Sequence, residues 1–433
     1  MNTTWRKNFV NVGLKGLKVL IIAELFPPDM GGGATRAYNM AKGLMANGCD
    51  VVVVSAFPHY PNGDISSRYR WKAFVIEEYE GIKTVRTFVP PLASVGLARR
   101  LVLFFSFMAS ALFAFRHVGK VDVVWAANPN VISAFPASFY GAFLRCPVVL
   151  NVDDLWPEDL QTFGLLSEKS MIFKAMKFVT KFAYYSAKLI TPISPDYVKV
   201  ICRKYGVSPT KVHVIRAGVD LSKFRVKASQ INCGEKQFRV LYSGAFSVAY
   251  DFDQVLLAAM ILQNVDGVEF VLQGGGELAG YVKSRVKELK LNNVRVIDRI
   301  VSRSQVAKLL SEADALILPL RDFGKPYLGI SSKLYEYQAA GKPIICCADG
   351  QPAEHVQMTG SGIVVKPGDY EALAKAVIML KENAKLAWEM AENGRRYVEK
   401  EASIEAVGLK MRKLLESVID NSKVKESRQL EET

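Results

Sequence analysis

Fifteen residues, Gly329 to Pro343, reading GISSKLYEYQAAGKP, join a small-residue loop, a lysine, a helical apolar pattern and one glutamate. The apolar run Ala315 to Leu320 before them predicts a parallel strand, and Ser332 or Ser331 is placed to cap a helix beginning near Lys333. A strand, a loop and a helix in that order offer free backbone amides to an anion, and the positive end of the helix dipole adds to them. Lys333 brings a full charge to the same place. A diphosphate suits that combination, and Glu336, one turn in, is placed to accept hydrogen bonds from a ribose. Taken alone, the same residues also make an ordinary capped helix whose glutamate sits well against the dipole. Gly341 and Lys342-Pro343 stop the helix and launch a second strand, Ile344 to Ala348.

Three further glycine loops follow apolar strands. Pro27-Pro28-Asp29-Met30-Gly31-Gly32-Gly33-Ala34 comes after Leu17 to Ala23 and precedes an amphipathic helix reaching about Asn47. Ser243-Gly244-Ala245 and Gln273-Gly274-Gly275-Gly276-Glu277 occupy the same place later in the chain. Glycine lets backbone approach a ligand closely, although none of these loops is a Gly-x-Gly-x-x-Gly fingerprint or a Walker loop. Open parallel sheets bind ligands at the carboxyl ends of their strands, so the loops together predict one shared cleft.

Short apolar strands alternate with helical patterns along nearly the whole chain. The fold class is therefore α/β, with two doubly wound, Rossmann-like parallel-sheet domains facing a cleft. Leu17 to Ala23, Asp50 to Ala56, Val121 to Ala127, Pro147 to Val152 and Leu189 to Ile193 form one set of strands. Arg239 to Ser243, Val268 to Gln273, Val294 to Ile297, Ala315 to Leu320, Ile344 to Ala348 and Gly362 to Lys366 form the other. The polar stretch Val226 to Gln237 reads as the linker. Expected units are an N-terminal domain at 16–225, a C-terminal domain at 236–400, a helix at 401–420 with room to cross back to the first domain, and a disordered tail at 421–433.

The chain has 433 residues, half of them hydrophobic, enough to bury two sizeable cores. Its six cysteines show no metal-ligand spacing, and the start, MNTTWRKNFVNVG, carries no apolar export signal, which together suggest a cytoplasmic location. The formal charge of +14 is uneven: residues 1–220 hold 26 Lys+Arg against 15 Asp+Glu, a net +11, leaving +3 for the rest. A basic first half suits an anionic membrane surface or a phosphate-bearing acceptor. Nucleic acid is disfavoured, since no zinc-ligand array, basic helix-turn-helix or aromatic RNA-binding signature is present. Two segments suggest peripheral attachment at the inner face of a membrane. Leu101 to Phe115 is uncharged and reads as too short to span. Met171 to Lys188 places Lys174, Lys177, Lys181 and Lys188 along one helical stripe, with Ile172, Met176, Val179 and Ala183 opposite.

KVLIIAELFPPDMGGGATR, NVDDLWPED at Asn151 to Asp159, VIRAGVDLSKF at Val214 to Phe224, LYSGAF, VLQGGGE and SKLYEYQAAGKP together resemble a GT-B retaining glycosyltransferase of family 4, the group-1 glycosyltransferases. The resemblance runs from Lys18 to about Leu415 and is closest to the branch that builds bacterial surface polysaccharides such as capsule and O-antigen. It implies a nucleoside-diphosphate sugar as donor and a lipid-linked saccharide as acceptor. Residue by residue it implies Glu336 on the ribose, Ser331, Ser332, Lys333 and Leu334 around the diphosphate, Gly244 and Gly274 flanking the donor, Arg299 near the base, and Gly32 and Gly33 approaching from the opposite domain.

Two departures accompany the resemblance. Leu328 stands where the family often has a second glutamate, and Ala245 to Asp253 lacks the Arg and Lys that many members use on phosphates. Lys333 and backbone amides are left with more of the phosphate charge, and no cofactor or essential metal is expected, because no Asp-x-Asp or His ligand set is visible. The acceptor hydroxyl needs a base, for which Asp154 and His59 are the candidates, although Asp153-Asp154 also suits a helix cap and His59 a turn. Rival readings are a sugar-nucleotide epimerase or hydrolase of the same fold, and a donor-binding but catalytically silent partner in polysaccharide assembly.

Overall fold

The computed structural model describes residues 16–60, 62–93, 96–127, 133–224 and 237–431. The expected linker falls almost wholly outside the described residues. The first domain runs β1 (Lys18–Ile22), α1 (Gly32–Ala46), β2 (Asp50–Ala56), β3 (Phe74–Tyr79), β4 (Ile82–Thr87), α2 (Leu97–Phe113), β5 (Val123–Ala126) and α3 (Ala134–Leu144). It continues through β6 (Val148–Val152), α4 (Glu158–Thr162), α5 (Met171–Ser186), β7 (Leu189–Pro192) and α6 (Pro195–Tyr205). The sheet order is β3-β4-β2-β1-β5-β6-β7, parallel except for β3. β1, β5 and β6 are almost entirely apolar because helices cover both faces.

The second domain runs β8 (Phe238–Ser243), α7 (Asp253–Ile261), β9 (Val268–Gly274), α8 (Ala279–Glu288), β10 (Val294–Asp298), α9 (Arg303–Glu312) and β11 (Ala315–Pro319). Then come α10 (Ser332–Ala339), β12 (Ile344–Cys347), α11 (Gln351–Thr359), β13 (Gly362–Val365), α12 (Tyr370–Glu382), α13 (Ala384–Tyr397) and α14 (Ile404–Glu431). Its all-parallel sheet has the order β10-β9-β8-β11-β12-β13. In both sheets the order reverses beside a glycine loop: between β1 and β5 in the first, between β8 and β11 in the second. These are the switch points at which such sheets bind ligands.

The chain returns to the first domain at its end. A π-helical turn, Val398–Ala402, leads into α14, and Val219, near the end of the first domain, exchanges backbone hydrogen bonds with Ala402 and Ile404 as the chain returns. α14 then packs on α1. A Cβ on Gly43 would lie 2.2 Å from the Ile404 carbonyl oxygen, and one on Gly408 2.2 Å from Gly43 backbone, so only glycine permits this approach.

Three expectations change. The β3–β4 hairpin has no counterpart among the expected strands, because its charged residues break the apolar runs; Arg86 of β4 is nonetheless fully buried and pairs with Glu77 of β3 at 2.9 Å. Residues 421–431, read as part of a disordered tail, continue α14 to Glu431; they contain no Gly or Pro and are rich in helix formers. The apolar segment read as too short to span belongs to a 20-residue helical stretch, Ala98–His117, that meets the length and composition for crossing a membrane, although Leu103, Phe107, Ala111 and Ala114 lie in the core of the first domain.

Candidate functional site

The second-domain wall is built where β8 and β11 part. Gly244 follows β8, and its amide donates to the Gln273 carbonyl at 2.9 Å, so this glycine is not a source of a free amide. Its use is closeness. A Cβ on Gly274 would lie 1.7 Å from the Gly244 oxygen, and a Cβ on Gly244 itself 2.2 Å from Lys333 Nζ. Lys333 crosses the glycine with its ammonium 5.9 Å from the ring centroids of Tyr242 and Tyr250, held by aromatic faces.

Helix α10 begins at Ser332, with Ser331 in the capping position but making no side-chain cap. The expected serine cap is therefore absent: Ser331 instead gives its carbonyl to the Leu334 amide at 3.1 Å. First-turn amides have no acceptor within their own helix, so those of Ser332 and Lys333 can serve an anion. Leu334 is fully buried and offers backbone alone. Gln273 links the neighbouring strand ends, accepting from Ser243 Oγ and donating to the Arg299 carbonyl, both at 2.6 Å. The Arg299 side chain is exposed.

Glu336 is not free. Its Oε1 accepts from Arg303 Nη2 at 2.6 Å, and Arg303 Nη1 donates across the cleft to Thr35 Oγ1 in the first turn of α1. Thr35 in turn donates to the Gly31 carbonyl at 2.9 Å. One guanidinium thus joins α10, which carries Lys333 and Glu336, to the glycine loop of the opposite domain.

In that loop Gly31 has φ +122° and its α-carbon faces Tyr60, while no atom lies within 4 Å of a Cβ built on Gly32. Gly33, the next residue of α1, is half-buried. Asp29 fixes the loop to its neighbour, accepting from the amides of His59 and Tyr60 at 2.8 Å each. Burial pushes the Asp29 carboxyl up against the opposing pull of His59, and its second oxygen is buried without a partner. His59 is buried too. Its Nδ1 faces the Phe57 carbonyl at 2.8 Å, which favours the tautomer with Nε2 as acceptor. Arg36 of α1 clamps the far side of the cleft, donating to Asn151 Oδ1, Ile215 O and Arg216 O and pairing with Asp153 at 3.2 Å.

Asp154 lies in a carboxylate cluster beyond β6. Burial raises its carboxyl well above the usual range, and the charges of Asp159 and Asp153 add to the effect. Asp159 Oδ2 accepts from the Leu155 amide at 2.7 Å and from Tyr197 OH at 3.1 Å; burial still lifts it to about 6. The second-domain loop closes over this cluster. Leu328, standing where the family often has a glutamate, gives its carbonyl to Ser194 Oγ at 2.5 Å, and Gly329 backs onto the Tyr197 ring. Phe163 meets Phe323 and Tyr327 beside them. The strands leading to His59 and Asp154, β2 and β6, are separated by β1 and β5, about 14 Å across the sheet. The two base candidates thus arise on strands far apart.

The structure therefore gathers Lys333, Ser331, Ser332, Gly244 and Gly274 on one wall and Gly32 and Gly33 on the other, with His59 buried behind the glycine loop. Arg303, Arg36, Asp159 and Tyr197 carry no site signal in the sequence. Arg303 reads in the sequence only as the first helical residue after Ser302, and Asp159 as part of a helix start. Two surface grooves, about 690 Å³ beside Ile261 and Met379 and about 770 Å³ beside Cys146 and Lys188, lie on other faces. Among the described residues no three His, Cys, Asp or Glu side chains gather as a metal-binding group.

Known proteins bear on this geometry. The family profile described as Glycosyl transferases group 1 matches residues 224–397, and the one described as Glycosyltransferase Family 4 matches residues 30–223. An uncharacterized glycosyltransferase of Methanocaldococcus jannaschii is 22% identical over 379 residues, covering 83% of this chain and 88% of the relative. The putative colanic acid biosynthesis glycosyl transferase WcaI of Escherichia coli is 22% identical over 400 residues, covering 87% and 96%. Among solved structures, sucrose-phosphate synthase from Thermosynechococcus elongatus superposes with a TM-score of 0.73 at 19% identity, over 94% of this chain and all of that one. Anabaena HepE, solved with UDP and glucose, superposes with a TM-score of 0.65 at 14% identity, over 93% and 100%. The likeness to these solved glycosyltransferases identifies the two-domain fold as GT-B.

Proposed function

The chain belongs to the group-1 glycosyltransferases, and on that premise we propose that it transfers a sugar, with retention of configuration, from a nucleoside-diphosphate sugar to a lipid-linked saccharide at the cytoplasmic face of a membrane. The observation that carries the donor half is the cross-cleft link from Thr35 through Arg303 to Glu336. It ties the helix whose open first-turn amides and Lys333 suit a pyrophosphate to the loop that carries Gly32. Relatives described as acting in colanic acid and amylovoran biosynthesis favour a growing polysaccharide as the product.

The chemistry follows from charge. As the glycosidic bond breaks, negative charge gathers on the leaving diphosphate, and preorganised amides plus the Lys333 ammonium stabilise it without an essential metal. Glu336 holds the ribose, and Ser331, Ser332, Gly244 and Gly274 line the diphosphate and sugar. Asp154, in its desolvated cluster, takes or shares the acceptor proton, with His59, about 14 Å away along the sheet, as the alternative.

Membrane attachment uses the outer face of the first domain. α5 was expected to show lysines outward and Ile172 inward, but Ile172 is exposed together with Met171, Phe178, Phe182 and Tyr185, interleaved with Lys174 and Lys181. Phenylalanines that insert among lysines that meet anionic headgroups are the composition of an interfacial surface. Incubating the purified protein with a panel of UDP-, GDP- and ADP-sugars, with and without lipid-linked saccharides, tests the whole reading. Sugar transfer that requires the lipid acceptor is expected; nucleotide release indifferent to acceptor indicates a hydrolase or epimerase, and no donor turnover indicates a silent partner.

A further inference from the structure

We propose that Arg303 is a positioning residue that orients Glu336 for the donor ribose and couples that site to the glycine loop of the first domain; the role rests on the donor site proposed above. Its backbone is fixed independently of the cleft. Ser302 and Gln305 form a reciprocal capping box at the start of α9, so Arg303 leaves the helix in a set direction. From there its guanidinium crosses the cleft and divides between two domains: Nη2 to Glu336 Oε1 at 2.6 Å, Nη1 to Thr35 Oγ1.

The pair contributes little to the fold. Arg303 is 44% exposed, and ion pairs that open to water are strongly screened. Its consequence is orientation. A free glutamate explores several rotamers, whereas one whose Oε1 is held presents Oε2 in a single direction, and a ribose hydroxyl can donate to that oxygen. The link then continues from Thr35 to the Gly31 carbonyl at 2.9 Å, the residue before the open α-carbon of Gly32. Occupancy of Glu336 and the approach of the glycine loop to the donor sugar are thereby joined through one side chain. Arg303 also brings a second cation to α10, on a chain whose residues 245–253 contain none.

The test compares wild type, Arg303→Met, Arg303→Lys, Thr35→Val and the Arg303→Met/Thr35→Val double variant. Calorimetric titration with UDP, GDP and ADP gives binding, and steady-state kinetics with the preferred sugar donor gives KM and kcat. Arg303→Met is expected to weaken nucleoside-diphosphate binding and raise donor KM roughly tenfold, the scale of one charge-assisted hydrogen bond, with partial recovery in Arg303→Lys. Thr35→Val is expected to leave binding within about twofold while lowering kcat several-fold, since it cuts only the link to the glycine loop. The double variant is expected to lose less than the product of the single losses. Binding by Arg303→Met equal to or tighter than wild type overturns the role and leaves the donor site standing. Wild type that binds none of the three nucleotides removes the donor site itself. Should Arg303→Met fail to fold, the split between kcat and binding in Thr35→Val decides.

Discussion

The Lys333 ammonium lies over Gly244, 2.2 Å from where a Cβ on that glycine would be, so the lysine has its position only because the glycine has no side chain. The strand end and the helix start therefore fit together as one unit of shape and charge. Lys333→Met keeps length and removes charge, and is expected to lower kcat by about 100-fold to 1,000-fold with a smaller change in donor KM. Gly244→Ala is expected to do similar damage by displacing the ammonium. Steady-state kinetics on the two variants checks both.

Asp159 gives a pH dependence whose sign is fixed. Burial raises its carboxyl from 3.8 to about 6, against the hydrogen bonds from Leu155 and Tyr197. Between about pH 4 and 6 the folded chain keeps a proton that the unfolded chain has released, so this residue's contribution to stability falls as pH rises through that window and is level above it. Asp159→Asn keeps an acceptor for Leu155 and Tyr197 without titrating. Urea unfolding at pH 4.5 and 7 is expected to show the variant gaining on wild type by on the order of 2 kcal/mol at the higher pH. An identical pH profile for both proteins would sink the assignment.

The crossing of α14 over α1 makes a stability prediction. Gly408→Leu must push the helices apart, because backbone of Gly43 lies 2.2 Å from the new Cβ. A loss of roughly 2–3 kcal/mol or more is expected in denaturant unfolding, as for other overpacked interiors. Leu substitution at the exposed Lys413 is the control, expected to change stability by about 0.5 kcal/mol or less.

On the outer face of α5, Phe178→Glu with Phe182→Glu is expected to abolish co-sedimentation with anionic phospholipid vesicles. Lys174→Glu with Lys181→Glu is expected to weaken it in a salt-dependent way. Retention of both variants on vesicles would remove this surface from membrane attachment.

How much of this is visible in the chain alone follows from the range of the interactions involved. The strands at Ala315 and Ile344 and the α10 start are local matters of apolar runs, glycines and turn residues, and they are legible. The β3–β4 hairpin is not, since Arg86 looks like a surface residue until Glu77, four carbonyl and hydroxyl oxygens and the ring of Phe26 surround it. The site divides in the same way. Lys333 and Glu336 lie in one short motif, whereas Arg303 acquires meaning only when Thr35, 268 residues away, is brought beside it. Asp159 resembles a helix-start acid until Tyr197 and the loop around Leu328 exclude water from it. Chemistry assembled across a cleft leaves little trace in either segment.

A crystal structure of the protein with its preferred nucleoside diphosphate tests the central claim most directly. The account predicts the pyrophosphate on the amides of Ser332 and Lys333 with the Lys333 ammonium beside it, the ribose on Glu336, and Gly32 facing the open end. A nucleotide seated elsewhere, with Lys333 still folded over Gly244 and Glu336 touching only Arg303, would contradict it.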